Sequence, residues 1–258
     1  MGRAGTMKGD VMSLTGKRII VTGAATGIGR ATALTVASRG AQVAAFDVND
    51  DAGSAVVDAI VEAGGRGRYW HVDVSVEADV EAGVAGAVDW LGGGPDVLLH
   101  LAGVLQGAWV DIAEFPEATW DRVLDINLKG SFLVAKHVAA RMQRNGSGVI
   151  ILTASGAGVT AGSSSYAYGS SKGGVHGLAM VLRGHLADRG VRVNDVCPGN
   201  VVSPLKLEVI EEMYRKTGDR AAYEADLAGL VQPEGIAGII AWLASDEAAY
   251  VTGTIFTR

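Results

Sequence analysis

The chain has 258 residues, of which 37 are glycine and only 5 proline, and 48% are hydrophobic. The glycines follow no Gly-X-Y period, so collagen-like and Pro/Gly-rich disordered chains are excluded. Twenty-two basic against 28 acidic residues give a net charge of −6, which is not the basic footprint of a nucleic-acid binder.

Residues 1–16 read as a loose, Gly-rich extension lacking the apolar core of a secretory signal. Met1-Gly2 followed by Thr6 fits the short myristoylation pattern, although a plain flexible extension is the simpler reading. Beyond it, apolar runs alternate with amphipathic stretches. Strands are expected at Arg18–Thr22, Gln42–Asp47, Arg68–Asp73, Val97–Ala102, Val149–Ala154, Arg192–Cys197 and Thr254–Thr257. Helices are expected at Gly27–Arg39, Asp51–Ala63, Val76–Leu91, Glu117–Arg144, Ser165–Arg189 and Pro233–Ser245. Residues 204–230 are charged and irregular in pattern. Strands alternating with helices imply a parallel sheet covered on both faces, in one doubly wound α/β domain over residues 17–258. No apolar run nears the ~20 residues of a membrane span. The single cysteine, Cys197, excludes an internal disulfide and fits a reducing, cytoplasmic compartment.

The first strand runs into Gly23-Ala24-Ala25-Thr26-Gly27-Ile28-Gly29 and then a helix. A tight turn that brings pyrophosphate against backbone needs residues without Cβ, and the helix start supplies free N–H groups. The spacing is G-x3-G-x-G; an ordinary strand-to-helix turn would also use glycine here. Asp47 ends the second strand, 20 residues after Gly27. A carboxylate there can accept from the adenosine ribose hydroxyls of NAD and would repel the 2′-phosphate of NADP. It could also be a turn-forming Asp ahead of Asn49-Asp50. Asp73 could bond the adenine amino group or cap a helix, with Val74 beside it.

Tyr168 and Lys172 lie four apart on an expected helix, hence on one face. Ser155 follows the fifth strand at its carboxyl end, where α/β ligands bind. Asn127 is a polar residue among Val123, Leu124, Ile126 and Leu128, either functional or a satisfied helix amide. The histidines show no metal spacing, so no metal is expected.

The ordered set Thr22-Gly23-x3-Gly27-Ile28-Gly29, Asn127, Ser155, Tyr168-x3-Lys172 and Pro198-Gly199 resembles the short-chain dehydrogenase/reductase family over about residues 15–257. The resemblance implies a Rossmann-like, seven-stranded doubly wound sheet, usually in dimers or tetramers. It also implies a catalytic tetrad of Asn127, Ser155, Tyr168 and Lys172. It places cofactor along Gly23, Thr26–Gly29, Asp47, Asp73, Val74, Ala102, Gly103, Tyr168, Lys172, Pro198, Gly199, Val201 and Ser203. Moving hydride at a carbon requires a proton moved at its oxygen. A free tyrosine has a pKa of ~10, and Lys172⁺ with oxidised nicotinamide should lower it. Ser155 would bond the substrate oxygen, and Asn127 would position a relay water.

Two features depart from the family. His100-Leu101-Ala102-Gly103 stands where Asn-Asn-Ala-Gly is usual, so His100 is expected to replace an amide structurally. Thr252–Arg258 begins like the last strand and stops where an Asp-Gly-Gly turn would follow. Residues 204–230 are the expected lid, with Leu207, Ile210, Met213 and Tyr214 at helical spacing. Gln106, Trp109, Ser163, Tyr166 and Leu207 are the candidate substrate contacts. The expected activity is an NAD-dependent oxidoreductase on a secondary alcohol or ketone. It would be a homo-oligomer whose partner is a small molecule rather than nucleic acid or membrane. The rivals are a 3-oxoacyl thioester reductase and a dinucleotide-binding regulator without turnover.

Overall fold

The computed structural model describes residues 12–257, so the myristoylation pattern and most of the expected extension lie outside the described residues. Seven strands form one parallel sheet: β1 (Arg18–Thr22), β2 (Gln42–Asp47), β3 (Arg66–His71), β4 (Val97–His100), β5 (Gly148–Thr153), β6 (Val191–Cys197) and β7 (Gly253–Phe256). Their spatial order is β3-β2-β1-β4-β5-β6-β7. The order reverses between β1 and β4, and in such sheets the crevice opens outside the strand ends at that point.

The strands alternate the face they present. Ile20, Leu98, Ile150 and Leu152 point into one core, and Ile19, Val21, Leu99 and Ile151 into the other. The first core is covered by α3 (Glu77–Leu91), α5 (Gly130–Asn145) and α7 (Tyr166–Leu186). The second is covered by α1 (Gly27–Ser38), α2 (Asp50–Glu62) and α10 (Pro233–Leu243). Each fully buried side chain such as Ile150 contributes roughly 1.5–3 kcal/mol, and both faces of every central strand share in this. Leu14 is also fully buried, and its N–H donates to the Arg39 carbonyl at 2.8 Å. The body therefore includes residues just ahead of β1.

Strand ends differ from expectation. β3 starts and stops two residues earlier because it pairs Gln42↔Arg66 through Asp47↔His71, leaving Asp73 to a turn. The long helix expected over Glu117–Arg144 is divided. α4 (Glu117–Leu124) passes through one π turn, Asp125–Lys129, into α5. The stretch 204–230 is more regular than its composition suggests. Ser203 caps α8 (Pro204–Thr217) by accepting from the Lys206 N–H at 3.3 Å, and Asp219 caps α9 (Arg220–Ala228) by accepting from the Ala222 N–H at 3.0 Å. Only Val209 and Ile210 of these two helices are buried, so the pattern carries almost no apolar stripe. The remaining α-helix, α6 (Gly156–Val159), is a single irregular turn after β5. Among the described residues no helix is long and apolar enough to cross a membrane.

Candidate active site

A cleft of about 770 Å³ opens at the carboxyl ends of the strands, beside the β1/β4 reversal. One end of it is made of backbone. Gly23 and Gly27 adopt φ of +65° and +51°. A Cβ on Gly23 would sit 2.7 Å from the Ala102 backbone, and one on Gly29 would strike the Gly23 carbonyl. A Cβ on Gly27 would lie 3.1 Å from the Ser203 side chain. Thr26, at the N-cap of α1, makes no side-chain cap bond, so the N–H groups of the first turn remain available. That cradle fits a diphosphate against backbone, with the helix dipole favouring its charge.

Thr22 braces this loop to β4. Its hydroxyl oxygen accepts from the Leu101 and Ala102 N–H groups at 3.2 and 3.3 Å and lies 2.8 Å from His100 Nδ1. With both lone pairs engaged, the hydroxyl proton points to Nδ1. His100 is buried, and burial, with the Lys172 charge nearby, pushes its pKa down to about 3. It is a neutral imidazole whose buried Nε2 meets no partner among the described residues. The bracing survives the replacement of the usual amides.

Asp47 is already engaged. One carboxylate oxygen accepts from the Ala25 N–H at 2.9 Å, and the other from Val48 and Asn49 at 2.8 and 3.0 Å. Asp73 accepts from the N–H and hydroxyl of Ser75 at 2.9 and 2.6 Å. Both line the cleft, together with Gly23, Thr26, Gly27, Ile28, Gly29, Val74, Ala102, Gly103, Pro198, Gly199, Val201 and Ser203.

Ser155, Tyr168 and Lys172 converge on the same cleft. Ser155 ends β5's extension and accepts from the Ala157 N–H at 3.2 Å. Ser165 caps α7 by accepting from the Tyr168 N–H at 3.3 Å, which fixes the helix phase. One turn on, buried Lys172 donates to the Thr153 carbonyl at 2.7 Å, and its Nζ lies 5.8 Å from the centre of the Tyr168 ring. Burial pulls the Lys172 pKa down to about 8. For the protein alone, the balance at Tyr168 runs upward. Desolvation of the phenolate raises its pKa, and only the Ser155 hydroxyl bond opposes this. Gly103 leaves the space above: a Cβ there would lie 3.3 Å from both Lys172 Nζ and Asn127 Oδ1.

Asn127 stands behind the wall, at the π turn. Its amide nitrogen donates to the Val104 carbonyl and the Ser171 hydroxyl, each at 2.9 Å, and its Oδ1 accepts from the Val104 N–H at 2.8 Å. Both amide hydrogens are used. Of the candidate substrate contacts, Trp109 and Ser163 line the cleft, whereas Gln106, Tyr166 and Leu207 do not. The Gln106 carbonyl accepts from Ser165 Oγ at 2.6 Å. Tyr166 packs edge-on to Phe115, with 5.5 Å between ring centres. Leu207 is exposed, while Leu205, Lys206 and Val209 face the cleft. Sequence reasoning also missed Arg122, one helical turn before Ile126 on the same wall. That i, i+4 spacing was the available signal.

A family sequence model described as Enoyl-(Acyl carrier protein) reductase matches residues 23–257, from the first cradle glycine through the last strand. The chain is 36% identical to 2,5-dichloro-2,5-cyclohexadiene-1,4-diol dehydrogenase of Sphingobium indicum, covering 93% of this chain and 94% of that one. It is 34% identical to cyclohexanol dehydrogenase of an Acinetobacter species, over 92% and 91%. The chain belongs to the short-chain dehydrogenase/reductase family. Among solved structures, levodione reductase superposes with a TM-score of 0.89 at 29% identity, covering 95% of this chain and 96% of that one. As a short-chain dehydrogenase/reductase the protein is an oxidoreductase, of a family that typically works with a nicotinamide dinucleotide.

Proposed function

We propose that this oxidoreductase moves hydride between NAD(H) and a secondary alcohol or its ketone, with Tyr168 handling the proton. The observation carrying this reading is the convergence of Ser155, Tyr168 and Lys172 on the cleft that holds the glycine cradle. When bound, the nicotinamide supplies or takes up the hydride. Ser155 donates to the substrate oxygen and steadies the charge that develops there. Tyr168 gives its phenolic proton to that oxygen in ketone reduction and takes it back in alcohol oxidation. Burial keeps the phenol protonated, the form reduction needs; for oxidation, a cationic neighbour must offset that burial. Lys172, anchored on Thr153, would hold the nicotinamide ribose. Asn127 is a positioning residue that ties the Val104 loop to α7, so a relay water would meet its oxygens rather than its amide hydrogens.

Asp47 at the end of β2 favours NAD, because a 2′-phosphate beside its carboxylate would be repelled. Two relatives are named for ring alcohols, which supports a cyclic secondary alcohol as the substrate class. Exposed Phe132 on α5 and Met180 and Val181 on α7 support a homo-oligomer. The match to an enoyl-(acyl carrier protein) reductase family favours one other reading, an acyl-thioester substrate.

The test pairs NAD and NADP with cyclohexanol, 2-butanol and acetoacetyl-CoA in matched directions. Turnover of cyclohexanol with NAD is expected; turnover of acetoacetyl-CoA alone would favour the thioester reading. NAD binding without any turnover would favour a regulator. Tyr168→Phe should leave the Kd for NAD within about twofold and lower kcat by about 10²–10⁴-fold. Near-normal kcat would remove Tyr168 from proton transfer.

A further inference from the structure

Trp109 is the only residue other than glycine with positive φ among the described residues, at +60°. L residues reach this region only when their surroundings hold them there, and such residues concentrate at ligand clamps. Its surroundings do hold it. The Trp109 N–H donates to the Ser164 carbonyl at 2.8 Å, and Ser165 Oγ donates to the Gln106 carbonyl at 2.6 Å. Both acceptor and donor belong to the segment that starts α7 and carries Tyr168. The opposite side is held from α8. Lys216 Nζ donates to the carbonyls of Ala108 and Trp109 at 3.3 and 3.2 Å, across more than a hundred residues of chain. Glu212, one turn back, lies 3.4 Å from the same ammonium and steers it. Ala108 is fully buried, so its carbonyl is a fixed target, while Trp109 is half exposed at the rim. Trp109, Ser163 and Ser164 line the cleft.

We propose that Lys216 is a positioning residue that latches the end of α8 to Trp109 and so makes the indole a fixed wall, setting the size of substrate admitted. The α8–α9 segment and the β4–α4 loop then behave as one jaw around the substrate, with the ammonium as the pin between them. The size-selection part rests on the secondary-alcohol reading above; the latch itself does not.

The experiment measures amide hydrogen exchange and turnover in the full-length protein. In Lys216→Met, exchange at residues 103–111 and at the end of α8 should quicken by about fivefold or more, with β1, β4 and α1 unchanged. KM for cyclohexanol should rise by about 3–10-fold while kcat stays within about twofold, and Lys216→Arg should recover most of the loss. Trp109→Gly, which removes both the indole and the left-handed strain, should raise kcat/KM for 4-tert-butylcyclohexanol relative to cyclohexanol by about tenfold. Unchanged exchange in the 103–111 loop of Lys216→Met overturns the latch. An unchanged size ratio in Trp109→Gly overturns the wall. If exchange quickens in Lys216→Met but the wild type turns over no secondary alcohol, the latch stands and the substrate reading falls.

Discussion

The two ends of the cleft are built by different means. At the cradle end the wall is main chain: Gly23 and Gly29 admit backbone at distances no Cβ allows, and Gly27 lies tight against Ser203. At the substrate end the wall is side chain, held by one hydroxyl, one ammonium and one backbone N–H: Ser165 to Gln106, Lys216 to Ala108 and Trp109, and Trp109 to Ser164. A main-chain wall resists substitution, because the atoms a Cβ on Gly23 or Gly29 would strike are themselves backbone, at Ala102 and at Gly23. A side-chain wall can be rebuilt one residue at a time, which is how a shared cradle serves different substrates.

The strongest way to break this contrast is at the cradle. Gly23→Ala forces a Cβ to 2.7 Å from the Ala102 backbone at a φ of +65°. The left-handed cost of about 1–2 kcal/mol and the overpacking cost of about 1–3 kcal/mol sum to about 2–5 kcal/mol. Urea denaturation should show a loss of this order, together with lost NAD binding. A loss under about 1 kcal/mol would mean that the frame yields.

The same contrast explains what could be read from the sequence. The glycine loop was legible because close backbone approach leaves few residue choices, and Tyr168 and Lys172 were legible because one helical turn puts them on one face. Tyr166 was misplaced for the same geometric reason: two residues before Tyr168, it points away from the cleft and onto Phe115. The spacing of Leu207, Ile210, Met213 and Tyr214 hinted at α8, whereas α9 was not legible because none of its residues is buried. The partner of Lys216 could not be read at all, since its targets are carbonyls, which every residue carries. The strand ends of β3 moved because pairing with β2, not local composition, sets them.

Lys172 joins the two regions, and pH isolates its burial. Its folded pKa of about 8 lies below the ordinary 10.5. Between these values the unfolded chain holds more protons than the folded one, so stability rises with pH through that window. Below about 8 the penalty is fully present, and it amounts to about 3 kcal/mol. Neighbouring Cys197 is pushed up to about 11 by burial and would titrate in the same range with the opposite sign. Comparison of Lys172→Met with its parent is therefore made in a Cys197→Ala background. The parent should gain stability from pH 8 to 10.5 relative to the methionine variant, and parallel curves would show that the ammonium is not desolvated.

The smallest expected effect is at Asp47, a side chain at the end otherwise made of main chain. Its two oxygens already accept from Ala25, Val48 and Asn49, so it braces the glycine loop whether or not cofactor is bound. An ionised carboxylate has about four lone-pair sites, and three are spent, which leaves room for a ribose hydroxyl. The two roles separate by cofactor. Loss of the brace should weaken NAD and NADP alike, because both place a diphosphate on the loop. Loss of the ribose contact should weaken NAD alone, and loss of the negative charge should help NADP. Asp47→Ala is expected to raise the Kd for NAD by about tenfold, equivalent to about 1.4 kcal/mol, with NADP changing by less. Equal weakening of both, measured by titration calorimetry, would reduce Asp47 to a brace and extend the main-chain character of the cradle to its adenosine edge.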